Sequence, residues 1–488
     1  METYSFDFSK IEQLINNRMG EFAVPSLCLG IVKGGQVIHQ GFYGYKDLEN
    51  KLAPDGTTRY ACASLTKAMT AVCLGMLKDE GKVDWDTPVI EYLPEFRMYD
   101  EYATQHVTLR DMLSHNTGLP RHDQGWYRWS GKSASTADYV RAVRYLKPNK
   151  GFRGGYEYNN YMFTVAGYVV ERVSGLSWNR FIARRLFEPL GMLNTTTAVN
   201  GLRRADNRAL PYGRKDGKPV LERYNDFDGM AGCGCVNSTL EDMLKLTMFY
   251  IGKGEYRGRR LVSEKVMDEI YAPRNVIPPQ PHAFQPEAPM GAYAFGWVVQ
   301  PFRGHMCLQH SGGIDGFSSY LTFMPIEGIG IVVFANEEGT SFHRAVAAAA
   351  YDLILGVDAE KDWPSAYAAV DRALMYSQEK ENGKVRASIR PDSVPTRPLK
   401  DYTGCYAHPG YGALTVTLKN GRLAVRYNGR TWPLEHSNYD SFYVAYDEDA
   451  IERLAPFTFQ WHADGGACLM AKMEPALEED ICFVKDHT

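Results

Sequence analysis

The alternation of hydrophobic and polar positions predicts strands at both ends of the first two-thirds of the chain, with helices between them. Strand patterns cover 26–33 and 36–44, joined by the hairpin signal Gly34-Gly35, and a helix pattern precedes them at 8–19. From residue 64 to about 272, hydrophobic positions mostly follow the helical period. The helices predicted there include 109–114, 137–146, 160–173, 178–186 and 240–251.

Strand patterns return after this helical block. Four strands and a closing apolar helix are predicted at 293–299, 306–309, 318–324, 329–334 and 342–355. Because strands come from both ends of this segment, they predict one antiparallel sheet flanked by helices, an α/β (α+β) fold with a helical part.

The last quarter of the chain has a different pattern. A charged helix is followed, from Gly383, by a Pro-containing linker composition. Short alternating strands then meet at the turn pairs Asn420-Gly421, Asn428-Gly429 and Asp464-Gly465, which predicts a small all-β barrel or sandwich. We therefore expect three units: a domain over 1–356, a linker over 357–400 and an all-β domain over 401–488.

Composition and charge narrow the possible partners. The 488 residues are 44% hydrophobic and carry a net charge of −4, and no long basic run is present. This composition is typical of a globular protein and argues against nucleic acid and membrane as partners. The chain shows no signal-peptide pattern, and its longest apolar helical stretch, 345–355, is too short to span a bilayer. We expect a cytoplasmic protein whose oligomeric state the sequence does not reveal.

Nine cysteines without a disulfide-like spacing fit a reducing compartment. Cys233-Gly-Cys235 has no nearby Cys or His pair with which to hold a metal, and Cys62 lies beside a candidate nucleophile. We interpret all three as small buried apolar residues, and we expect neither a metal nor a cofactor.

The most informative motif is Ser64-x-x-Lys67, at the start of a long apolar helix pattern. Three residues apart on one helical face, the amine lies beside the hydroxyl, as a serine nucleophile without histidine requires. A plain helix N-cap serine is the alternative. A second copy, Ser377-x-x-Lys380, lies in a charged, solvated segment that would not desolvate the amine, and we interpret it as chance.

Two further segments carry polar groups suited to the same chemistry. Tyr158-x-Asn160 opens an apolar helix, where a phenol can shuttle protons and an amide can contact a substrate, although a capped helix with a packed tyrosine gives the same pattern. In His310-Ser311-Gly312-Gly313 a strand ends in small residues that allow a ligand to lie alongside. The N–H groups of Gly313 and Ser64 are candidates for an oxyanion hole.

Ser64-x-x-Lys67, Tyr158-x-Asn160 and His310-x-Gly312, in this order and spacing, resemble the motifs of the serine β-lactamase and penicillin-binding-protein superfamily. The flanking segments 107–119 and 232–242 are similar to its class-C-like branch of peptidases, esterases and related hydrolases. The resemblance covers about 8–355, and 401–488 is similar to the small lipocalin-like barrel appended to some members.

The resemblance implies a role for each matching residue. Ser64 would be the nucleophile, and Lys67 with Tyr158 would form the general base that later protonates the leaving group. Asn160 would orient Lys67 and contact the substrate amide, while His310, Ser311, Gly312 and Gly313 would line the substrate site. His115, in a turn typical of the family, would have a structural role.

One departure from the family pattern bears on the substrate. Members that process penicillins commonly have lysine at the position of His310, where it helps to hold the β-lactam carboxylate. A mostly neutral histidine attracts a carboxylate less. We therefore expect a serine hydrolase that forms an acyl-enzyme, a peptidase or amidase on small molecules or peptides, including those with D-residues. The alternatives are a carboxylesterase, a β-lactamase, and a catalytically silent binding protein.

Overall fold

The computed structural model describes residues 4–125, 135–279, 290–357, 361–448 and 451–486, and within these ranges the chain forms two large antiparallel sheets. No helix in these ranges is long and apolar enough to cross a membrane. The helices are α1 (Ser9–Arg18), α2 (Thr66–Asp79), α3 (Val89–Tyr92), α4 (Glu101–His106), α5 (Leu109–Leu113), α6 (Thr136–Ala142), α7 (Asn160–Ser174), α8 (Trp178–Ile182), α9 (Glu188–Leu190), α10 (Val199–Arg203), α11 (Ala231–Gly234), α12 (Leu240–Ile251), α13 (Glu264–Tyr271), α14 (Phe342–Leu355) and α15 (Trp363–Ser388).

The first sheet has eight strands, in the spatial order β2-β1-β14-β13-β12-β11-β10-β9. Six short strands form three separate pairs, β3 with β6, β4 with β5 and β7 with β8. The strands of this part are β1 (Ser26–Lys33), β2 (Gln36–Gly44), β3 (Arg59–Ala61), β4 (Tyr212–Lys215), β5 (Lys218–Leu221), β6 (Asn237–Thr239), β7 (Glu255–Tyr256), β8 (Arg259–Arg260), β9 (Asn275–Ile277), β10 (Gly291–Tyr293), β11 (Val298–Phe302), β12 (His305–Ile314), β13 (Phe317–Met324) and β14 (Ile329–Ala335).

The order of the strands confirms that both ends of the domain build one sheet. Strand β1 lies between its hairpin partner β2 and the distant strand β14, with Leu27 opposite both Tyr43 and Ala335. Side chains on one face of β1 pack with α1 and α14, and those on the other pack with α2 and α12. Because both faces of the sheet are covered, β1, β13 and β14 are buried at nearly every position.

The second sheet is a nearly closed barrel of nine strands, in the order β18-β17-β16-β15-β23-β22-β21-β20-β19. All three predicted turn pairs connect neighbouring strands of this barrel. Its strands are β15 (Gly404–His408), β16 (Gly412–Lys419), β17 (Arg422–Tyr427), β18 (Arg430–Pro433), β19 (Glu435–Asn438), β20 (Ser441–Glu448), β21 (Ile451–Trp461), β22 (Ala467–Ala471) and β23 (Ile481–Lys485).

Three predicted elements differ from the structure. The single strand expected over 293–299 is wrong: β10 ends at Tyr293, and a turn through Gly296 (φ +80°) leads into β11. This turn packs against α2, so closely that a Cβ atom at Gly296 would lie 2.7 Å from Ala68 N. The helix expected over 178–186 changes to a π-helix at Ala183–Phe187, and α15 continues past Gly383 to Ser388.

Helix α15 packs against both α14 and the barrel strand β21. Its buried residue Asn382 donates a hydrogen bond from Nδ2 to Glu452 O at 2.7 Å and accepts one at Oδ1 from Leu454 N at 2.9 Å. This one amide side chain therefore provides hydrogen-bond partners for a backbone carbonyl and a backbone N–H of β21, the strand that faces α15.

We predict that Asn382→Leu loosens the barrel, because it leaves backbone groups of β21 without hydrogen bonds. The expected cost is about 2 to 4 kcal/mol of unfolding free energy, measured by chemical denaturation, with faster proteolysis of the segment after residue 390. The exposed α15 residue Lys380 provides the control, since Lys380→Ala removes no such contact. Equal stability of the two variants would contradict the prediction.

Candidate active site

Ser64 lies in a strained turn between β3 and α2. The preceding residue, Ala63, has φ +45°, a left-handed conformation that non-glycine residues rarely adopt. Hydrogen bonds hold the turn, since Cys62 N donates to Val236 O at 2.9 Å and Ser319 Oγ donates to Cys62 O at 2.8 Å. Ser64 caps neither the 3₁₀ turn Ala63–Leu65 nor α2, so the N-cap alternative does not hold.

Lys67, on the first turn of α2, is fully buried. Its Nζ donates to Ser64 Oγ at 2.9 Å and to Cys233 O at 3.0 Å, and it lies 5.0 Å from the ring centre of Tyr158. The carbonyl of Cys233 belongs to α11, which packs against α7 so closely that a Cβ atom at Gly232 would lie 2.5 Å from Phe163 O. Gly232 thus allows α11 to reach the amine.

Tyr158 completes a three-residue cluster, because its hydroxyl donates to Ser64 Oγ at 3.0 Å. The Tyr158 ring lies 4.3 Å from the ring of His115 and edge-on to Tyr293 at 6.2 Å. The guanidinium of Arg121 lies 4.4 Å from its ring centre. The structure therefore brings Ser64, Lys67 and Tyr158 into direct hydrogen-bond contact.

His115 orients the Tyr158 segment rather than contacting Ser64. Its Nδ1 accepts a hydrogen bond from Asn159 N at 3.1 Å, and Asn159 in turn caps α7 by accepting from Met162 N at 3.0 Å. Burial lowers the pKa of His115 well below its usual range, and nearby Lys67 acts in the same direction. A neutral, buried His115 agrees with the structural role expected for it.

Asn160 is buried beside the cluster but is not hydrogen-bonded to Lys67. Its Nδ2 donates to Asp123 Oδ1 at 2.9 Å, and its Oδ1 accepts from no residue that the structure describes. The expectation that Asn160 orients Lys67 therefore has no direct contact to support it. Contact of Asn160 with a substrate amide stays a prediction.

His310 has both ring nitrogens occupied. Nδ1 lies 2.6 Å from Ser311 O, which can only accept, so Nδ1 carries the proton and Nε2 accepts from the Tyr293 hydroxyl at 2.8 Å. Burial lowers the pKa of His310 to about 3, and nearby Lys67 and Arg344 add to the effect. His310 is therefore neutral and has no free donor for a substrate carboxylate.

Strand β12 brings the glycines beside Ser64. A Cβ atom at Gly312 would overlap Cys62 O and would lie 3.0 Å from the side chain of Ala63, whereas one at Gly313 would meet nothing within 4 Å. Strand β11 pairs with β12 only as far as Gln309, so residues 310–314 pair with β13 alone among the described strands. This edge of β12 is open to an extended substrate.

Four further residues adjoin the predicted site residues but belong to none of the three sequence motifs: Arg344, Arg121, Asp123 and Tyr293. Arg344 donates to Ser311 Oγ at 2.9 Å. A cation in the first turn of a helix is electrostatically unfavourable. Arg344 lies in the first turn of α14, and this unusual position is the one feature of the sequence that could have indicated it. The other three reach the site from loops and β10, and no spacing in the sequence points to them.

The three cysteines of interest are buried, as predicted. Burial raises the pKa of the Cys62, Cys233 and Cys235 thiols, which keeps them in the unreactive protonated form. Within the described ranges, no group of three or more His, Cys, Asp or Glu side chains could hold a metal ion.

The β-lactamase family profile matches residues 11–355, a segment that contains every residue of this site. The chain belongs to the β-lactamase family. It is a serine hydrolase of the β-lactamase fold, with an antiparallel sheet, flanking helices and a C-terminal barrel. A second profile, a domain of unknown function (DUF3471), matches residues 389–481.

Similar proteins include hydrolases and a penicillin-binding-protein homologue. The unguisins hydrolase ungD' of Aspergillus campestris is 28% identical, over 98% of this chain and 91% of that protein. An octameric penicillin-binding-protein homologue from Pyrococcus abyssi has the same fold, with a TM-score of 0.62, 22% identity and coverage of 98% and 100% of the two chains. The D-amino acid amidase of Ochrobactrum anthropi has a TM-score of 0.58 and 22% identity, covering 72% of this chain and 100% of its own.

We predict that Gly312→Ala strongly slows modification of Ser64 by a fluorophosphonate, because the new methyl group overlaps the backbone that precedes the nucleophile. Gly313→Ala is the matched comparison, since its methyl group enters open space and its N–H is retained. We expect the Gly312 variant to lose about 100-fold in labelling rate and the Gly313 variant much less. Similar rates for both would contradict the close approach of β12 to Ser64.

Proposed function

We propose that this serine hydrolase is an amidase or peptidase that forms an acyl-enzyme on Ser64. The observation that carries the proposal is the convergence of Lys67 Nζ and the Tyr158 hydroxyl on Ser64 Oγ, at 2.9 and 3.0 Å. A buried lysine and a tyrosine that both contact one serine oxygen supply the proton carriers that acyl transfer needs, which argues against a silent binding protein.

The chemistry needs one of these two groups to accept the serine proton. Neutral Lys67 or the phenolate of Tyr158 takes the proton from Oγ as Oγ bonds to the substrate carbonyl carbon. The resulting oxyanion would be held by the N–H groups of Ser64 and Gly313. The same proton then passes to the leaving amine, the carbon–nitrogen bond breaks, and water hydrolyses the acyl-enzyme.

The surroundings of His310 support an amide substrate over a penicillin. A neutral imidazole with both nitrogens engaged offers no cation to a carboxylate fixed beside the reactive carbonyl. The open edge of β12 suits an extended peptide or amide. Amide hydrolysis, with D-residues among the substrates, also fits the D-amino acid amidase to which the chain is similar, and the similarity to the unguisins hydrolase fits hydrolysis in general.

Arg344 favours a second candidate, a substrate with a carboxylate near the scissile bond. Its guanidinium reaches Ser311 Oγ from α14 at 2.9 Å and provides the positive charge that His310 lacks. A β-lactam and a peptide with a free C-terminus both carry such a carboxylate. An ester substrate would follow the same steps as an amide, because only the leaving group differs.

We predict that Ser64→Ala abolishes fluorophosphonate labelling and turnover, and that Lys67→Arg lowers acylation at least about 1,000-fold, since a guanidinium cannot accept the proton. The second Ser-x-x-Lys copy supplies matched controls on the exposed helix α15. Ser377→Ala and Lys380→Arg should label like the wild type, as measured by whole-protein mass. Normal labelling of the Ser64 or Lys67 variant would refute the assignment.

We also predict that the wild type hydrolyses a D-alanyl amide and an aryl ester faster than a chromogenic cephalosporin, because His310 provides no charge. His310→Lys should shift kcat/KM towards the cephalosporin, and Arg344→Ala should lower the activity on carboxylate-bearing substrates selectively. Wild-type turnover of the cephalosporin above both other substrates would instead favour a β-lactamase.

A further inference from the structure

We propose that the C-terminal barrel positions the catalytic tyrosine through residues 121–125, which we name the bridging segment. This inference rests on the proposed function for the role of Tyr158. The segment contacts Tyr158 and Asn160 with one set of side chains and is held by barrel residues through its backbone. Glu474 and Tyr427 of the barrel are thus positioning residues for a reaction centre in the other domain.

The bridging segment reaches the reaction centre through Arg121 and Asp123. The Arg121 guanidinium lies 4.4 Å from the ring centre of Tyr158, and its Nη1 forms an ion pair with Asp123 Oδ2 at 2.8 Å. The other carboxylate oxygen of Asp123 accepts from Asn160 Nδ2 at 2.9 Å. Asp123 therefore ties the arginine over the Tyr158 ring to the first residue of α7.

The barrel holds the same segment at Gln124, through both of its backbone groups. Gln124 N donates to Glu474 Oε2 at 2.9 Å, and Gln124 O accepts from the Tyr427 hydroxyl at 2.9 Å and from Asn428 Nδ2 at 3.1 Å. Neighbouring His122 is hydrogen-bonded to the Tyr411 hydroxyl of the barrel. The path of the segment is therefore set by side chains that lie some 300 residues later in the chain.

The segment has little room to take another path. A Cβ atom at Gly125 would overlap the hydroxyl of Tyr161, so the backbone here lies directly against α7. Glu474 is 3% exposed. Burial raises its pKa well above the usual range, and the facing carboxylate of Asp123 adds to the effect, with Arg453 opposing it. Glutamine has nearly the same shape as Glu474 and retains an acceptor oxygen for Gln124 N.

A cation over the face of an aromatic ring is attracted to the ring and helps to hold it in one position. Arg121 therefore helps to keep the Tyr158 hydroxyl at Ser64 Oγ, provided that the segment keeps Arg121 in place. Among the described residues, the titratable or charged groups that face the Tyr158 ring are Lys67, Arg121, His115, Tyr293 and His310. Of these, Arg121 alone lies on the segment that the barrel holds.

The experiment compares four variants of the full-length chain: Glu474→Leu removes the acceptor for Gln124 N, Glu474→Gln retains it, and Arg121→Met removes the cation. Asn149→Ala is the matched interface control, because Asn149 bonds to Ala476 O at 2.6 Å and to Glu478 N at 3.1 Å without touching the bridging segment. Two quantities are measured: the rate of fluorophosphonate labelling of Ser64 against pH, and hydrogen–deuterium exchange over 121–125.

We expect Glu474→Leu and Arg121→Met to slow labelling about 10-fold or more at every pH, because the Tyr158 hydroxyl is then less often held at Ser64 Oγ. Glu474→Gln and Asn149→Ala should keep the wild-type profile. Exchange over 121–125 should rise in Glu474→Leu alone, since only that variant frees Gln124 N. Rescue by Glu474→Gln distinguishes positioning of the bridging segment from a general weakening of the interface, which Asn149→Ala would share.

Wild-type profiles and exchange in Glu474→Leu would overturn the inference, as would equal effects of Asn149→Ala. If Glu474→Leu does not fold, Tyr427→Phe takes its place, because it removes one donor to Gln124 O. We then expect slower labelling and faster exchange over 121–125, and unchanged values of both would overturn the inference. If the wild type is not labelled at Ser64, the proposed function fails. In that case the exchange measurement decides alone whether the barrel orders the bridging segment.

Discussion

The burial of the Lys67 amine is the constraint on which the rest of the site depends. A fully buried amine needs hydrogen-bond acceptors within the protein, and Ser64 Oγ and Cys233 O provide them. Two features of the fold place these acceptors. The strained residue Ala63 precedes the serine, and the short helix α11 packs against both α2 and α7. Gly232 and the turn at Ala63 both serve this one requirement.

Around this amine, the candidate active site is assembled from three segments that are far apart in the chain. The turn before α2 carries the serine and the first turn of α2 the lysine, Tyr158 and Asn160 lie at the start of α7, and β12 carries His310 and the two glycines. The β12 edge is then left open, while an aromatic and histidine cluster packs behind Tyr158. The polar groups of the site are therefore buried among aromatic rings, and this surrounding strengthens the electrostatic interactions between them.

The barrel adds a second level of organisation, because it contacts the hydrolase domain at the loop that passes Tyr158. Helix α15 spans both parts and packs on each through buried residues such as Trp363 and Asn382. The boundaries of the three units at 356 and 400 stay a prediction. The barrel is thus hydrogen-bonded to a loop whose neighbouring side chain, Arg121, lies over the Tyr158 ring.

The sequence by itself determined the elements and the catalytic candidates, since hairpin pairs, helical periodicity and the Ser64-x-x-Lys67 spacing are local signals. The sequence predicted helix 342–355 to the residue. It merged β10 with β11, because the turn at Gly296 that separates them is set by packing against α2, which is distant in the chain. Only the tertiary structure decided three contacts of the site. Asn160 is hydrogen-bonded to Asp123, and the Tyr293 hydroxyl is hydrogen-bonded to His310. The Arg121 guanidinium lies over the Tyr158 ring. These contacts join residues far apart in the chain, and their side-chain geometry depends on packing that no local spacing records.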